Sequence, residues 1–157
     1  MKSDFTVQAA VVDDIDRIFE LTNRMADKGL MLPRSKYKIV TILQNFMVAR
    51  GDVSGKVIGC GAFSLLWSNL GEIMALAVDS DWQKKGVGTA LVEKLIEKGR
   101  FLNVPEIIVL TYQAEFFRKM GFLLTEKENF PRKVWRECLE CPKLEKCDET
   151  AMHMLLR

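Results

Sequence analysis

An excess of charge of one sign is the first thing this sequence lacks. Lys and Arg number 23 against 21 Asp and Glu, a net charge of +2, too weak a field to draw nucleic acid or an anionic membrane by bulk electrostatics. Any anion-binding role must be local. Long apolar runs are missing too: nothing approaches the roughly 18 to 20 apolar residues of a membrane span, and the opening Met1-Lys2-Ser3-Asp4-Phe5 has no signal-peptide core. The expectation is a cytoplasmic chain that meets neither membrane nor nucleic acid. Histidine occurs once, as His153, and the four cysteines are too sparse for a secreted disulfide framework. Pro and Gly stand as scattered punctuation, without repeat or linker. The 157 residues, 48% of them apolar, fit one domain, 1–157, with a proper core.

What is present is an ordered series of β-prone and helical patterns. Residues 5–9 alternate as a first strand, after which Asp13 or Asp14 can cap a helix presenting Ile15, Ile18, Phe19, Thr22 and Met25, ended by Gly29. Ser35, just past Pro33, can cap a second helix to about Asn45. Residues 46–50 and 56–67, joined by "GDVSG", read as a hairpin, and a third extended run covers 72–78. The stretch after Gly86 carries an apolar stripe of Val87, Leu91, Val92, Leu95 and Ile96 suited to covering a sheet. A β-branched run at 106–111, a short helix at 114–120 and two closing strands, 122–125 and 149–156, complete the order β-α-α-β-β-β-α-β-α-β-β. Hairpins first and crossovers later imply an α/β (α+β) fold with a mixed sheet and helices on its faces.

The stretch "DWQKKGVGTALVEKL", residues 81–95, sets Gln83-x-x-Gly86-x-Gly88 at the mouth of that third helix. The first amides of a helix have no intrahelical acceptor and carry partial positive charge, and glycine lets an anion approach the backbone. This is a place to hold phosphate. A nucleotide-hydrolase loop would need Lys after its last glycine, where Thr89 stands, and a dinucleotide fold would put its glycines in the first β-α unit. Neither pattern fits.

Downstream lies "AEFFRKMGF", residues 114–122. Together, the Q-x-x-G-x-G turn and this Ala-x-Φ-Φ-x-x-x-Gly-Phe helix resemble the signatures of the GNAT family of N-acetyltransferases, over nearly the full length. The resemblance implies a mixed central sheet of about six to seven strands with about four helices, and acetyl-CoA as co-substrate. It assigns the pyrophosphate to the amides of Gln83, Lys84, Lys85, Gly86, Val87, Gly88 and Thr89. It assigns pantetheine and the thioester carbonyl to Leu76, Ala77 and Val78, with Phe117 beside the cofactor. A preorganised donor to a developing oxyanion is worth ~3 to 4 kcal/mol. Lys84 and Lys85 read equally well as solvated surface charge.

An ammonium cannot attack a thioester, and the family often keeps a base where Glu72 stands; a partly buried carboxylate suits that task. The family tyrosine that protonates the departing thiolate is replaced by Phe117. Thr111 and Tyr112 are the substitute donors, unless the low-pKa thiolate leaves unaided. The stretches "GLMLPRS", "EIMALAVDSDWQKKGVG" with "VLTYQAEFF", and "PRKVWRECLECPKLEKCDETAM" further resemble short, stand-alone relatives of the catalytic domain of bacterial N-acetylglutamate synthase. That implies direct acetylation of the α-amine of L-glutamate, in arginine biosynthesis. The partner is then a small molecule, and a homodimer is allowed. Arg34 is the first candidate for an acceptor carboxylate, because guanidinium binds it bidentately; Arg132 and Lys133 are the second. Another small amine, a protein amine, or a catalytically weak acyl-CoA sensor stay open as alternatives.

Cys138-x-x-Cys141-x5-Cys147, in the segment 127–148, offers half of a zinc spacing. Completion would need Cys60 or His153. Zinc, a disulfide and reduced thiols are all open; reduced thiols and no metal are the expectation.

Overall fold

The computed structural model describes residues 4–127 and 149–156. Among these, seven strands form one sheet in the order β1-β2-β3-β4-β5-β7-β6. They are β1 (Phe5–Ala9), β2 (Phe46–Gly51), β3 (Val57–Trp67), β4 (Leu70–Val78), β5 (Glu106–Thr111), β6 (Leu123–Leu124) and β7 (Thr150–Leu155). Every neighbouring pair is antiparallel except β4–β5. That parallel pair needs a crossover, which α3 (Val87–Phe101) supplies. With α1 (Ile15–Asp27), α2 (Lys36–Thr41) and α4 (Ala114–Lys119), the expected mixed α/β architecture is complete.

Alternation along the strands sends neighbouring side chains to opposite faces. On one face Ile18 and Leu21 of α1 and Ile39 of α2 pack with Val48, Cys60, Ala62 and Ala77. On the other, Val92, Leu95 and Ile96 of α3 and Phe117 of α4 pack with Phe63, Ile73, Ile107 and Val109. Helices on both faces place the middle of β4 between two cores.

Local boundaries follow side-chain chemistry, with three departures. The Asp14 carboxylate does not cap α1; it accepts the Val11 amide at 3.0 Å and Arg50 Nη2 at 2.8 Å, tying a short 3-10 turn to β2. The second helix stops at Thr41 and tightens into a 3-10 turn, Leu43–Asn45, where Asn45 Nδ2 donates to the Phe63 carbonyl at 2.8 Å. Ser35 does cap α2, accepting the Lys38 amide at 3.1 Å. β4 begins at Leu70, two residues before the expected start.

β4 and β5 pair only at Gly71↔Ile107 and Glu72↔Ile108. At this junction a Cβ on Gly71 would lie 2.7 Å from Phe63 Cε2, in a ring that is 1% exposed. Overpacking of this kind costs about 1–3 kcal/mol. Gly71→Ala is therefore expected to lower the unfolding free energy by that amount, read as a lower urea midpoint with an unchanged denaturant slope.

Candidate active site

Beyond Glu72 the two parallel strands diverge. From Ile73 to Val78 the edge of β4 facing β5 has no ladder partner among the described residues, so backbone groups that a continuous sheet would consume border an opening. β4 is also irregular there. Cys60 pairs with Ala77 and Ala62 with Met74, which leaves Ala75 and Leu76 opposing Gly61 alone. Ala75 takes φ +56°, a left-handed conformation that alanine adopts only when its surroundings impose it. Such a bulge bends the strand and redirects the peptide groups on either side. On its other side Cys60 Sγ lies 3.6 Å from the Ala75 carbonyl.

The opening is the mouth of a cleft whose wall includes Arg34, Glu72, Leu76, Thr111, Tyr112 and Phe117. Six positions chosen from the sequence thus meet in one place, although they span more than 80 positions of the chain. Glu72 is half-buried on a central strand, opposite Ser64 on one side and Ile108 on the other. It is not an edge-strand carboxylate in solvent. Arg34 is only 8% exposed. Its loop is held to α1 because Asn23 Nδ2 donates to the Arg34 carbonyl at 3.2 Å and to the Phe19 carbonyl at 2.8 Å, while Arg34 Nη1 reaches the Leu32 carbonyl at 3.3 Å. Thr111 Oγ1 accepts the Gln113 amide at 2.7 Å, which leaves its hydroxyl proton to donate elsewhere. Phe117 is wedged edge-on between Phe116 and Phe122, with centroids 5.0 and 5.3 Å away; it lines the cleft as packing and offers no proton.

At the far end of β4 the chain enters the glycine turn. Lys84 and Gly86 have φ +61° and +86°, and α3 begins at Val87. The first intrahelical bond is Ala90 N–H to the Gly86 carbonyl at 3.0 Å, so the amides of Val87, Gly88 and Thr89 precede it. Gln83 has partners within the turn. Its amide turns back towards the Ser80 carbonyl at 3.5 Å, and its side-chain Nε2 donates to the Val78 carbonyl at 3.0 Å. It shapes the turn from within. Trp82 braces the turn against Phe5, edge-on at 6.3 Å, and Lys85 Nζ sits 5.1 Å above the Trp82 ring. A Cβ at Gly86 would meet nothing within 4 Å. Any loss in Gly86→Ala must therefore come from backbone strain, about 1–2 kcal/mol, read as a lower Tm of the free protein.

The helix-mouth turn thus stands at one end of a splayed strand, and a carboxylate and a guanidinium line the cleft at the other. The pattern of the Acetyltransferase (GNAT) family matches residues 15–122. The chain belongs to the GNAT acetyltransferase family. An uncharacterized N-acetyltransferase of Chlorobaculum tepidum is 42% identical over 154 residues, covering 96% of each chain. An amino-acid acetyltransferase of Mycobacterium tuberculosis is 39% identical over 126 residues, 80% of this chain and 71% of that one. Among solved structures, Rv2747 from Mycobacterium tuberculosis, in complex with CoA and NLQ, superposes with TM-score 0.86 at 31% identity, covering 97% of this chain and 99% of that one. This GNAT chain is accordingly an acetyl-CoA-dependent N-acetyltransferase.

Several features of the GNAT site left no signal in the sequence. The bulge falls on Ala75, a residue that does not announce a left-handed conformation. Glu149, read only as the start of a strand, lines the cleft wall. Burial pushes the Cys60 thiol up to about 12, and His153 Nδ1 is 2.7 Å from Glu106 Oε2. No metal-holding group is found among the described residues, and no described helix is long and apolar enough to cross a membrane. Arg132, Lys133, Cys138, Cys141 and Cys147 lie outside the described residues.

Proposed function

We propose that this acetyltransferase transfers the acetyl group of acetyl-CoA directly to the α-amine of L-glutamate or a similar acidic amino acid. The observation that carries the reading is the meeting of a buried guanidinium, Arg34, with a half-buried carboxylate, Glu72, on one cleft wall beside the β4 bulge. Glu72 takes the proton from the acceptor ammonium, directly or through one water, and the freed lone pair forms the new C–N bond at the thioester carbonyl. The Leu76 amide, set by the bulge, donates to the carbonyl oxygen as negative charge builds on it. Ala77 and Val78 offer their backbone to pantetheine, and the amides of Val87, Gly88 and Thr89 hold the pyrophosphate, with Lys84 and Lys85 adding local positive charge. The C–S bond breaks and the sulfur leaves as thiolate, to be protonated by Thr111 or Tyr112. Arg34 holds an acceptor carboxylate bidentately, and Arg132 and Lys133 are the further cations for a second one.

The relative named as an amino-acid acetyltransferase supports an amino acid as acceptor. A second reading, an amino acid with a neutral side chain, is favoured by Arg34 being the one basic side chain among the described residues of the wall. Thiol release from acetyl-CoA against a panel of glutamate, aspartate, glutamine, lysine and small amines separates these. Glutamate with the highest kcat/KM supports the first reading; glutamine ahead of glutamate replaces it with the second, and preference for lysine removes both.

A further inference from the structure

The two acidic residues at the exit of β4, Asp79 and Asp81, are out of place beside a turn that binds a diphosphate. An uncompensated carboxylate there would repel the ligand. The structure resolves this for Asp79. Arg17 of α1, its side chain 11% exposed, sets Nη2 2.5 Å from Asp79 Oδ2, and Nη1 of Arg24 lies 3.6 Å from the same oxygen. Arg17 Nε donates to the Val57 carbonyl of β3 at 2.8 Å, so one guanidinium ties α1 to β3 and to the exit of β4. The other Asp79 oxygen accepts the Asp81 amide at 2.9 Å, and the Asp79 amide donates to the Ile58 carbonyl at 2.8 Å. The Asp81 amide and the Arg17 guanidinium hold the Asp79 carboxyl below its ordinary range, against the opposing effect of burial. It is an anion throughout the range of an enzyme assay.

From this carboxylate the chain runs through a 3-10 turn, Ser80–Trp82, closed by Trp82 N–H on the Asp79 carbonyl at 2.9 Å, and reaches Gly86. We infer that Asp79, gripped by Arg17, is a positioning residue for acetyl-CoA: the pair sets the direction in which the turn delivers the first amides of α3, and cancels a charge that would oppose the diphosphate. The inference deepens the cofactor half of the reading above, and it rests on that reading's placement of the pyrophosphate. It is tested with acetyl-CoA alone, so it stands or falls separately from the identity of the acceptor.

Calorimetric titration of acetyl-CoA into the full chain is the experiment, with Asp79→Asn, Arg17→Met and the double variant, each also measured for Tm. Arg17→Met leaves the carboxylate with only the half-exposed Arg24 beside it, and its Kd is expected to rise roughly threefold to thirtyfold. Asp79→Asn is expected to raise Kd less, and the double variant to bind more tightly than Arg17→Met, because the repelling charge is gone. Added salt should narrow the gap between Arg17→Met and the double variant. A role in stability alone would lower Tm and leave Kd unmoved in every variant. That result, or losses that simply add in the double variant, overturns the inference. Should Arg17→Met not fold, Arg17→Lys keeps the charge but cannot span the Val57 carbonyl and Asp79 together; wild-type affinity in a folded Arg17→Lys overturns the inference equally.

Discussion

Glu72→Gln is expected to lower kcat by about 10²- to 10⁴-fold while acetyl-CoA binds as before. The substitution keeps the volume of the side chain and one carbonyl oxygen, but an amide cannot accept the proton that the acceptor ammonium must lose. Glu72 sits inside a central strand, paired by backbone to Ser64 and Ile108, so the exchange has no route to a large change in fold. The glycine turn is at the other end of β4, more than ten residues on, so the cofactor affinity has no reason to follow. Stopped-flow or steady-state thiol release, together with calorimetry on the same variant, separates the two. A kcat within threefold of the parent would show that the base is elsewhere in the cleft, with Glu149 the next carboxylate to replace.

Arg34→Met is expected to reduce kcat/KM for the acceptor by at least about 30-fold, the lower end of the 2–5 kcal/mol that truncating one partner of a buried, hydrogen-bonded charge pair costs. Methionine preserves much of the stem volume in a site that is only 8% exposed, so the loss reports the guanidinium and not a cavity. Arg34→Lys retains the charge without the planar fork and should recover part of the loss. The loop itself stays anchored, because Asn23 holds the Arg34 backbone carbonyl and not its side chain. An unchanged acceptor KM would take Arg34 out of the site and leave Arg132 and Lys133 as the carboxylate partners. Comparing glutamate with glutamine in this variant adds discrimination: a similar loss for both assigns Arg34 to the α-carboxylate, and a loss confined to glutamate assigns it to the side chain.

Much of the architecture is legible in the chain because it depends on neighbours in sequence. Strand and helix periodicity, Gly29 at the end of α1, Ser35 ahead of α2 and the β-α-α-β-β-β-α-β-α-β-β order are consequences of propensity and capping within a few residues. The paired glycines at the mouth of α3 are similarly local: the open amides come with the helix start. The boundary departures come instead from tertiary partners. Asp14 finds Arg50 across the sheet and abandons the cap, and Asn45 finds the Phe63 carbonyl and shortens the second helix.

What the sequence by itself determined, then, is the set of elements and the chemistry available to them: a helix mouth open to anions, a carboxylate at position 72, a guanidinium at position 34. Only the tertiary structure decided that these meet. The divergence of β4 from β5 after a two-residue pairing, the left-handed Ala75 and the grip of Arg17 on Asp79 across 62 positions arise from contacts between segments far apart in the chain. Such contacts become favourable only once the hydrophobic cores on both faces of the sheet have brought the segments together, and no local preference of alanine or aspartate encodes them.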